Sequence, residues 1–503
     1  MMKHRLLALF CAFTLLLGGC VVEETEQNFW EDDVIETDEM GGQVLLSSFS
    51  LPYLEEESLN PYFCPDGIAQ TVTALQYESL FALDRNMTPQ GVLCESWQYD
   101  SATLTYYFVL RKNVTFWDGT VLTAEDVRSS WDYAARSTRY SGRFRDVRET
   151  FIMPDGTLRV TLKRANANFP ALLDVPIVRS GTESSALPTG TGPYWRVETA
   201  EGDYLTANST WWKSAVLPFA QIPLVPVKSE EMAAQLFSSY DISFMLFDPT
   251  LSYAFSQSGA VTTETIPNTT MQWICFRADM PYALRQAMDA AIDRKTIVSG
   301  YLSGYGSAAH YPISAASPLY PTTAVADSYL SVYRDKIAAM RYRNLIPDTL
   351  TFLVNAENSY KVRIVEYLCE YLSTENLTLT PLVLPWEEYV QALTDGAYHL
   401  CYAQTRLTAD WDCGELLRVD GALNYGAAHA PASEHALSVF LAEGSIDSAN
   451  AFAAAFASEL PFLPICFGAY ATISYAGSVE GQSPALSNPF YGIENWSVNF
   501  AAS

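Results

Sequence analysis

The chain has 503 residues and a formal net charge of −27, with 30 Lys and Arg against 57 Asp and Glu. That balance excludes a nucleic-acid binder, which needs a basic footprint to meet phosphates. The length leaves room for two or three domains with real cores, and 49% hydrophobic residues fit a globular body.

The N-terminus reads as an export signal. Lys3 and Arg5 precede an apolar run over residues 6–17, broken only by Thr14. The run is short for a bilayer-spanning helix and right for a signal-peptide core. Leu17-Gly18-Gly19-Cys20 closes it as a lipobox. Residues 1–19 are therefore expected to be a cleaved signal peptide. Cys20 is expected to be the lipid attachment site of an extracytoplasmic cell-membrane lipoprotein. Residues 20–42 hold nine acidic side chains and no basic ones, an acidic tether that repels itself.

Residues 75–135 are the most structured stretch to the eye. A helix end at Tyr77-Glu78-Ser79-Leu80 leads to an acidic-aromatic loop, Glu95-Ser96-Trp97. Leu104, Tyr106, Phe108 and Leu110 alternate as one face of a strand. Asp118-Gly119 supplies a tight turn, and Thr123 with Asp126 predicts a capping box on a helix running to about Ala135. Leu158, Val160 and Leu162 alternate after a second turn at Asp155-Gly156. Gly190-Thr191-Gly192-Pro193-Tyr194 reads as a glycine turn, and strands resume over residues 222–227.

Further on, Leu284, Ala287, Met288 and Ala291 fall at helical spacing. Strands are predicted over residues 350–354, 377–384, 397–403 and 460–467. Helices are predicted over 361–372 and from Pro385, with a helix before the last strand. The alternation predicts an α/β architecture. Glu230-Glu231 and Glu387-Glu388 sit on predicted helices as solvated faces.

The block at 75–135, the GTGPY run, Asn208 to Trp212, and Arg285, Ala287, Ala291, Ile292, Asp293 and Arg294 together resemble the family 5 extracellular solute-binding proteins, the peptide- and nickel-binding subunits of ABC importers. The resemblance covers residues 44–498. It implies a two-lobed, periplasmic-binding-protein-like (Venus flytrap) fold with an extra small subdomain in the first lobe. The implied division assigns residues 43–80, 186–268 and 469–503 to the core of lobe I. Residues 81–185 form its inserted subdomain, and 269–468 form lobe II. It also implies a receptor that captures a peptide between the lobes and delivers it to membrane permease subunits, and a monomer is expected. A surface sensing protein on the same fold, or a receptor for a nickel chelate or oligosaccharide, is the alternative.

By the same resemblance, Asp410 in Arg406-Leu407-Thr408-Ala409-Asp410-Trp411 holds the ligand's α-ammonium, because a buried carboxylate needs a cationic partner. The backbone of Leu407, Thr408 and Ala409 offers strand-like hydrogen bonds to a peptide. Arg406 stands where the family has Gly, and Leu407 where it has Trp. Arg406 either pairs with Asp410 or grips a ligand carboxylate, and the sequence leaves both open. Asp410 could also serve as a cap for a helix at Glu415-Leu416-Leu417. Asp66, Gly67 and Ile68 align with a cleft-lining segment of the first lobe. Trp386 and Trp411 are candidate cleft aromatics or ordinary packing residues.

Other chemistries find little support. Seven cysteines remain beyond Cys20, an odd number with no C-x-x-C spacing, so free thiols and a disulfide both stay open. The four histidines beyond the leader form no ligand pair, and His399 falls in a predicted strand as a packed residue. No G-x-S-x-G elbow or other catalytic set occurs, so the expectation is a protein without enzymatic activity, cofactor or bound metal.

Overall fold

The computed structural model describes residues 48–55, 57–65, 67–250, 260–323, 330–426 and 428–499. Cys20, the leader and the acidic tether lie outside the described residues, as does Asp66.

The chain opens with strand Leu51–Leu54, which pairs in parallel with Gln221–Val227. Tyr204–Ala207 and Tyr194–Val197 complete a four-stranded sheet. Leu51, Phe49, Val72 and Tyr194 pack beneath it with Phe490 and Trp496 from the chain's far end. Residues from both ends of the sequence thus share one core.

Between these strands lies a separate four-stranded antiparallel sheet, in the order Cys94–Asp100, Thr105–Leu110, Leu158–Leu162, Val147–Ile152. Helix Ala124–Ala134 packs Val127 and Trp131 against Tyr106, Phe108, Val160 and Leu162. The capping box forms as read, with Thr123 N–H donating to Asp126 at 2.8 Å. Gly119 and Gly156 take φ of 84° and 86°, as their turns require.

The second half builds a seven-stranded mixed sheet. Its edge is a parallel β-α-β unit of Thr349–Asn355, helix Ser359–Leu372 and Thr378–Leu384. Leu400–Arg406 joins that unit to Val261–Phe276. Val261–Phe276 and Phe462–Tyr475 are 16 and 14 residues long and pair with each other along their length. One half of each packs in the large core with Leu353, Ile364 and Phe456. The other half meets Ile68, Val227 and Phe237. These two strands are therefore the crossing connection between two cores. Their pairing slips between Pro267 and Met271, where proline has no N–H to give the ladder.

Several expectations need correction. Glu95, Ser96 and Trp97 lie in strand Cys94–Asp100 and not in a loop. This is an edge strand facing solvent, so its polar composition hid it. Leu104 sits at φ 56° in the turn before its strand. Ala397, Tyr398 and His399 precede strand Leu400–Arg406, which runs three residues further than read. The last strand continues past Gly468 to Tyr475. Gly190 and Gly192 do not have positive φ. A Cβ on Gly190 would lie 2.2 Å from Gln76 O, and one on Gly192 2.5 Å from Leu75 O, so their reason is close backbone approach.

Candidate functional site

A cavity of about 440 Å³ opens between the two cores, a size suited to a small ligand. Segments far apart in sequence line it. Helix Ile68–Ala74 contributes Gln70 and Thr73, and Arg139 and Arg143 come from the segment between helix Ala124–Ala134 and strand Val147–Ile152. Asn268, Thr269 and Thr270 come from the slip in the crossing strand, and residues 406–409 follow strand Leu400–Arg406.

The 406–409 wall is held from behind. Leu407 N–H donates to Thr269 O at 3.0 Å, continuing the strand pairing by one residue. Trp411 N–H donates to Thr408 O at 3.0 Å, turning the chain, and Trp411 itself takes φ 64°. Its indole is buried, donates to Ser317 Oγ at 3.1 Å and meets Phe467 edge-on. Trp411 is thus an anchor in the core and not a cleft aromatic.

Asp410 also lies behind the wall, 3% exposed, and does not line the cavity. Its oxygens accept from Asn166 Nδ2 at 2.8 Å and Thr408 Oγ1 at 2.5 Å. Burial and the charge of Asp412 push its carboxyl above the usual range. Asp410 does not cap the helix Gly414–Leu417, whose N-cap is Cys413; Asp412 Oδ1 accepts from Gly414 N–H at 2.9 Å beside it. Asp412 also meets Arg145 at 2.9 Å and Arg164, which flank strands Val147–Ile152 and Leu158–Leu162 of the separate antiparallel sheet. This ion cluster joins the four-stranded antiparallel sheet to the large core.

Among the described residues, the charged side chains that line the cavity are Arg139, Arg143, Arg406 and Asp174. Arg143 pairs with Asp174 and stacks 5.1 Å from the Tyr140 ring. Burial lowers its pKa, and Arg139 and Arg406 push in the same direction. Arg139 donates to Cys64 O at 2.5 Å. Arg406 donates to Tyr470 OH at 2.9 Å.

Residues 88–412 match the sequence profile described as bacterial extracellular solute-binding proteins, family 5 Middle. The chain belongs to this family of solute-binding proteins.

A sequence relative is the glutathione-binding protein GsiB of Pectobacterium atrosepticum, 27% identical over 277 residues, 51% of this chain and 54% of that protein. The chain therefore matches about half the length of this curated relative. Among solved structures, NikZ from Campylobacter jejuni in complex with Ni(L-His) superposes with a TM-score of 0.65 at 17% identity, covering 90% of this chain and 99% of that one. The oligopeptide-binding protein AppA from Bacillus subtilis, in complex with a nonapeptide, gives 0.62 at 17% identity over 91% and 100%. These likenesses establish the two-lobed periplasmic-binding-protein fold.

Family 5 members are binding proteins and not enzymes. Among the described residues no three His, Cys, Asp or Glu side chains group as metal ligands. His399 Nδ1 lies 2.9 Å from Thr351 Oγ1, a local pairing on a half-buried ring. All seven cysteines beyond Cys20 are buried free thiols. No helix among the described residues is long and apolar enough to cross a membrane.

Of the candidate ligand residues, Arg406, Leu407, Thr408 and Ala409 line the cavity, while Asp410 and Trp411 stand behind it. Ile68 is buried under Val227, and Gly67 begins its helix at φ 81°. Neither reaches the cavity, which takes the next turn of that helix instead. Trp386 is 53% exposed and stacks on Tyr389 away from the lining residues. Arg139, Arg143 and Tyr470 were not read from the sequence. The four-residue spacing of the two arginines was the one available signal.

Proposed function

We propose that this chain is a lipid-anchored, extracytoplasmic receptor that captures a short peptide between its lobes and delivers it to the membrane permease of an ABC importer. The observation that supports this is a cavity walled by both cores and by the backbone of residues 406–409. Strand edges of that kind pair with extended peptides. GsiB binds glutathione by its name, and AppA holds a nonapeptide; both bring peptides to the fore. In this reading residues 43–80, 186–268 and 469–503 form lobe I, 81–185 its insertion and 269–468 lobe II. The crossing strands bend at the slip by Pro267 to close the lobes on the ligand.

Two measurements test the reading. Deleting the gene should abolish uptake of the peptides that the pure protein binds, and undiminished uptake would defeat the transport claim. Cys20→Ala should release the protein from membranes; continued retention would remove the anchor from the proposal.

A further inference from the structure

We propose that Cys275 and Cys401 join in a disulfide across two neighbouring strands of the seven-stranded sheet, a covalent staple in the strands that carry the cavity wall. This rests on the extracytoplasmic reading of the chain, since exported proteins meet disulfide oxidants and cytosolic ones meet reductants.

The register selects the pair. Strands Val261–Phe276 and Leu400–Arg406 are antiparallel, and Cys275 stands directly opposite Cys401. Side chains at directly opposed positions leave the sheet on the same face. Arg277 N–H donates to His399 O and Leu407 N–H to Thr269 O, each at 3.0 Å. Alternate pairs of this ladder are therefore the hydrogen-bonded ones, and Cys275–Cys401 falls among them. Such pairs hold their Cα atoms about 5.5 Å apart. A disulfide spans Cα separations of roughly 4.4–6.8 Å, so the bond fits this backbone. Among the described residues no other cysteine faces a second cysteine across a ladder.

The two thiols also share one buried space. Tyr389 OH lies 3.2 Å from Cys401 Sγ, and Tyr398 OH lies 3.6 Å from Cys275 Sγ. Each phenol also feels the other cysteine, so the four groups form one cluster. Tyr389 OH has Tyr402 O as a second acceptor at 3.3 Å, which remains when the thiols are oxidised. Burial pushes the Cys275 thiol up to about 11 and raises that of Cys401. A thiol that keeps its proton is a poor nucleophile, so the bond forms while the strands assemble and before they are covered. One cysteine thiolate attacks a small disulfide such as oxidised glutathione and releases one glutathione thiol. The other cysteine thiolate then displaces the second. One S–S bond breaks and one forms, the glutathione takes up two electrons, and the two cysteine protons end on the released thiols. The staple fixes the register in which Thr270 faces Arg406 at the cavity, five residues along the same ladder. A one-residue slip there would turn the wall's side chains to the opposite face.

Refolding tests the pairing. The full mature chain carrying Cys20→Ala is reduced, denatured and returned to a buffer of reduced and oxidised glutathione. Remaining thiols are alkylated under denaturing conditions, and the unreduced digest is mapped by mass spectrometry. The expected result is a Cys275–Cys401 cross-linked peptide in most molecules, with Cys64, Cys94, Cys369, Cys413 and Cys466 alkylated. The oxidised chain should melt roughly 5 °C above the same chain treated with dithiothreitol, because the bond closes a loop of about 125 residues. Cys275→Ala and Cys401→Ala should each abolish that difference, and the peptide map decides the question even where a variant fails to fold. Seven alkylated cysteines, or a cross-link between any other pair, would overturn the proposal. Alkylation of intact cells before lysis separates the pairing from the compartment. A bond found in cells supports both. A bond that forms on refolding and is absent in cells would defeat the extracytoplasmic reading and leave the pairing standing.

Discussion

Glu78 gives the sharpest stability prediction. Its Oε1 accepts from the indole N–H groups of Trp211 at 3.2 Å and Trp212 at 3.0 Å, and its Oε2 from Thr191 Oγ1 at 2.9 Å. Burial pushes its carboxyl from 4.5 up to about 7, against the pull of those hydrogen bonds and of Lys213. The folded chain therefore holds a proton that the unfolded chain has already released. The resulting stabilisation is fully present below pH 4.5 and is lost as pH rises through about 7. At 1.36 kcal/mol per pKa unit the ceiling is about 3 kcal/mol, or roughly 2 kcal/mol once the residue's partial contact with water is counted. Glu78→Gln imitates the protonated acid: its carbonyl can face the two indoles and its amide can donate to Thr191. The difference in unfolding free energy between Glu78→Gln and the parent should rise in favour of the variant by about 2 kcal/mol from about pH 5 to about pH 8. Urea titrations followed by tryptophan fluorescence measure it. A difference that stays constant across that range would refute the reasoning.

Two further changes probe other joints. Asp412→Asn removes a buried charge shared by Arg145 and Arg164. Burial opposes that charge, but Arg164, hydrogen bonds and Arg145 hold the carboxyl below its usual range, so its stabilisation is present at neutral pH and fades as pH falls through the lowered pKa. The variant should lose roughly 2 kcal/mol at the contact and speed hydrogen exchange of the Ala167 amide, which donates to Leu441 O across the same seam; unchanged exchange would count against the cluster as a latch. Gly192→Ala should cost about 1–3 kcal/mol in thermal or urea unfolding, because its Cβ would lie 2.5 Å from Leu75 O; a neutral result would mean the strand can step aside.

The elements were legible wherever their signals were local. The capping box at Thr123 and Asp126 and the helical stripe of Leu284, Met288 and Ala291 depend on neighbours within one or two turns. The misread pieces lacked that support. Strand Cys94–Asp100 is mostly exposed, so no apolar alternation marks it, and the glycines of the GTGPY run answer to the backbone of residues 75 and 76 more than a hundred positions earlier.

The site followed the same division. The sequence by itself determined the family and pointed to the segment at 406–411, because those residues are consecutive. Which side of the wall each one faces was decided by the tertiary structure. Trp411 is drawn into the core against Phe467, and Asp410 is drawn back by Asn166, leaving Arg406 and the following backbone on the cavity. Arg139, Arg143 and Tyr470 reach the same space only through the insertion and the crossing strand. Chain order carries no record of which distant charges will meet, since that depends on packing between cores, and so the gathering of Arg139, Arg143 and Arg406 around one cavity appeared only with the fold.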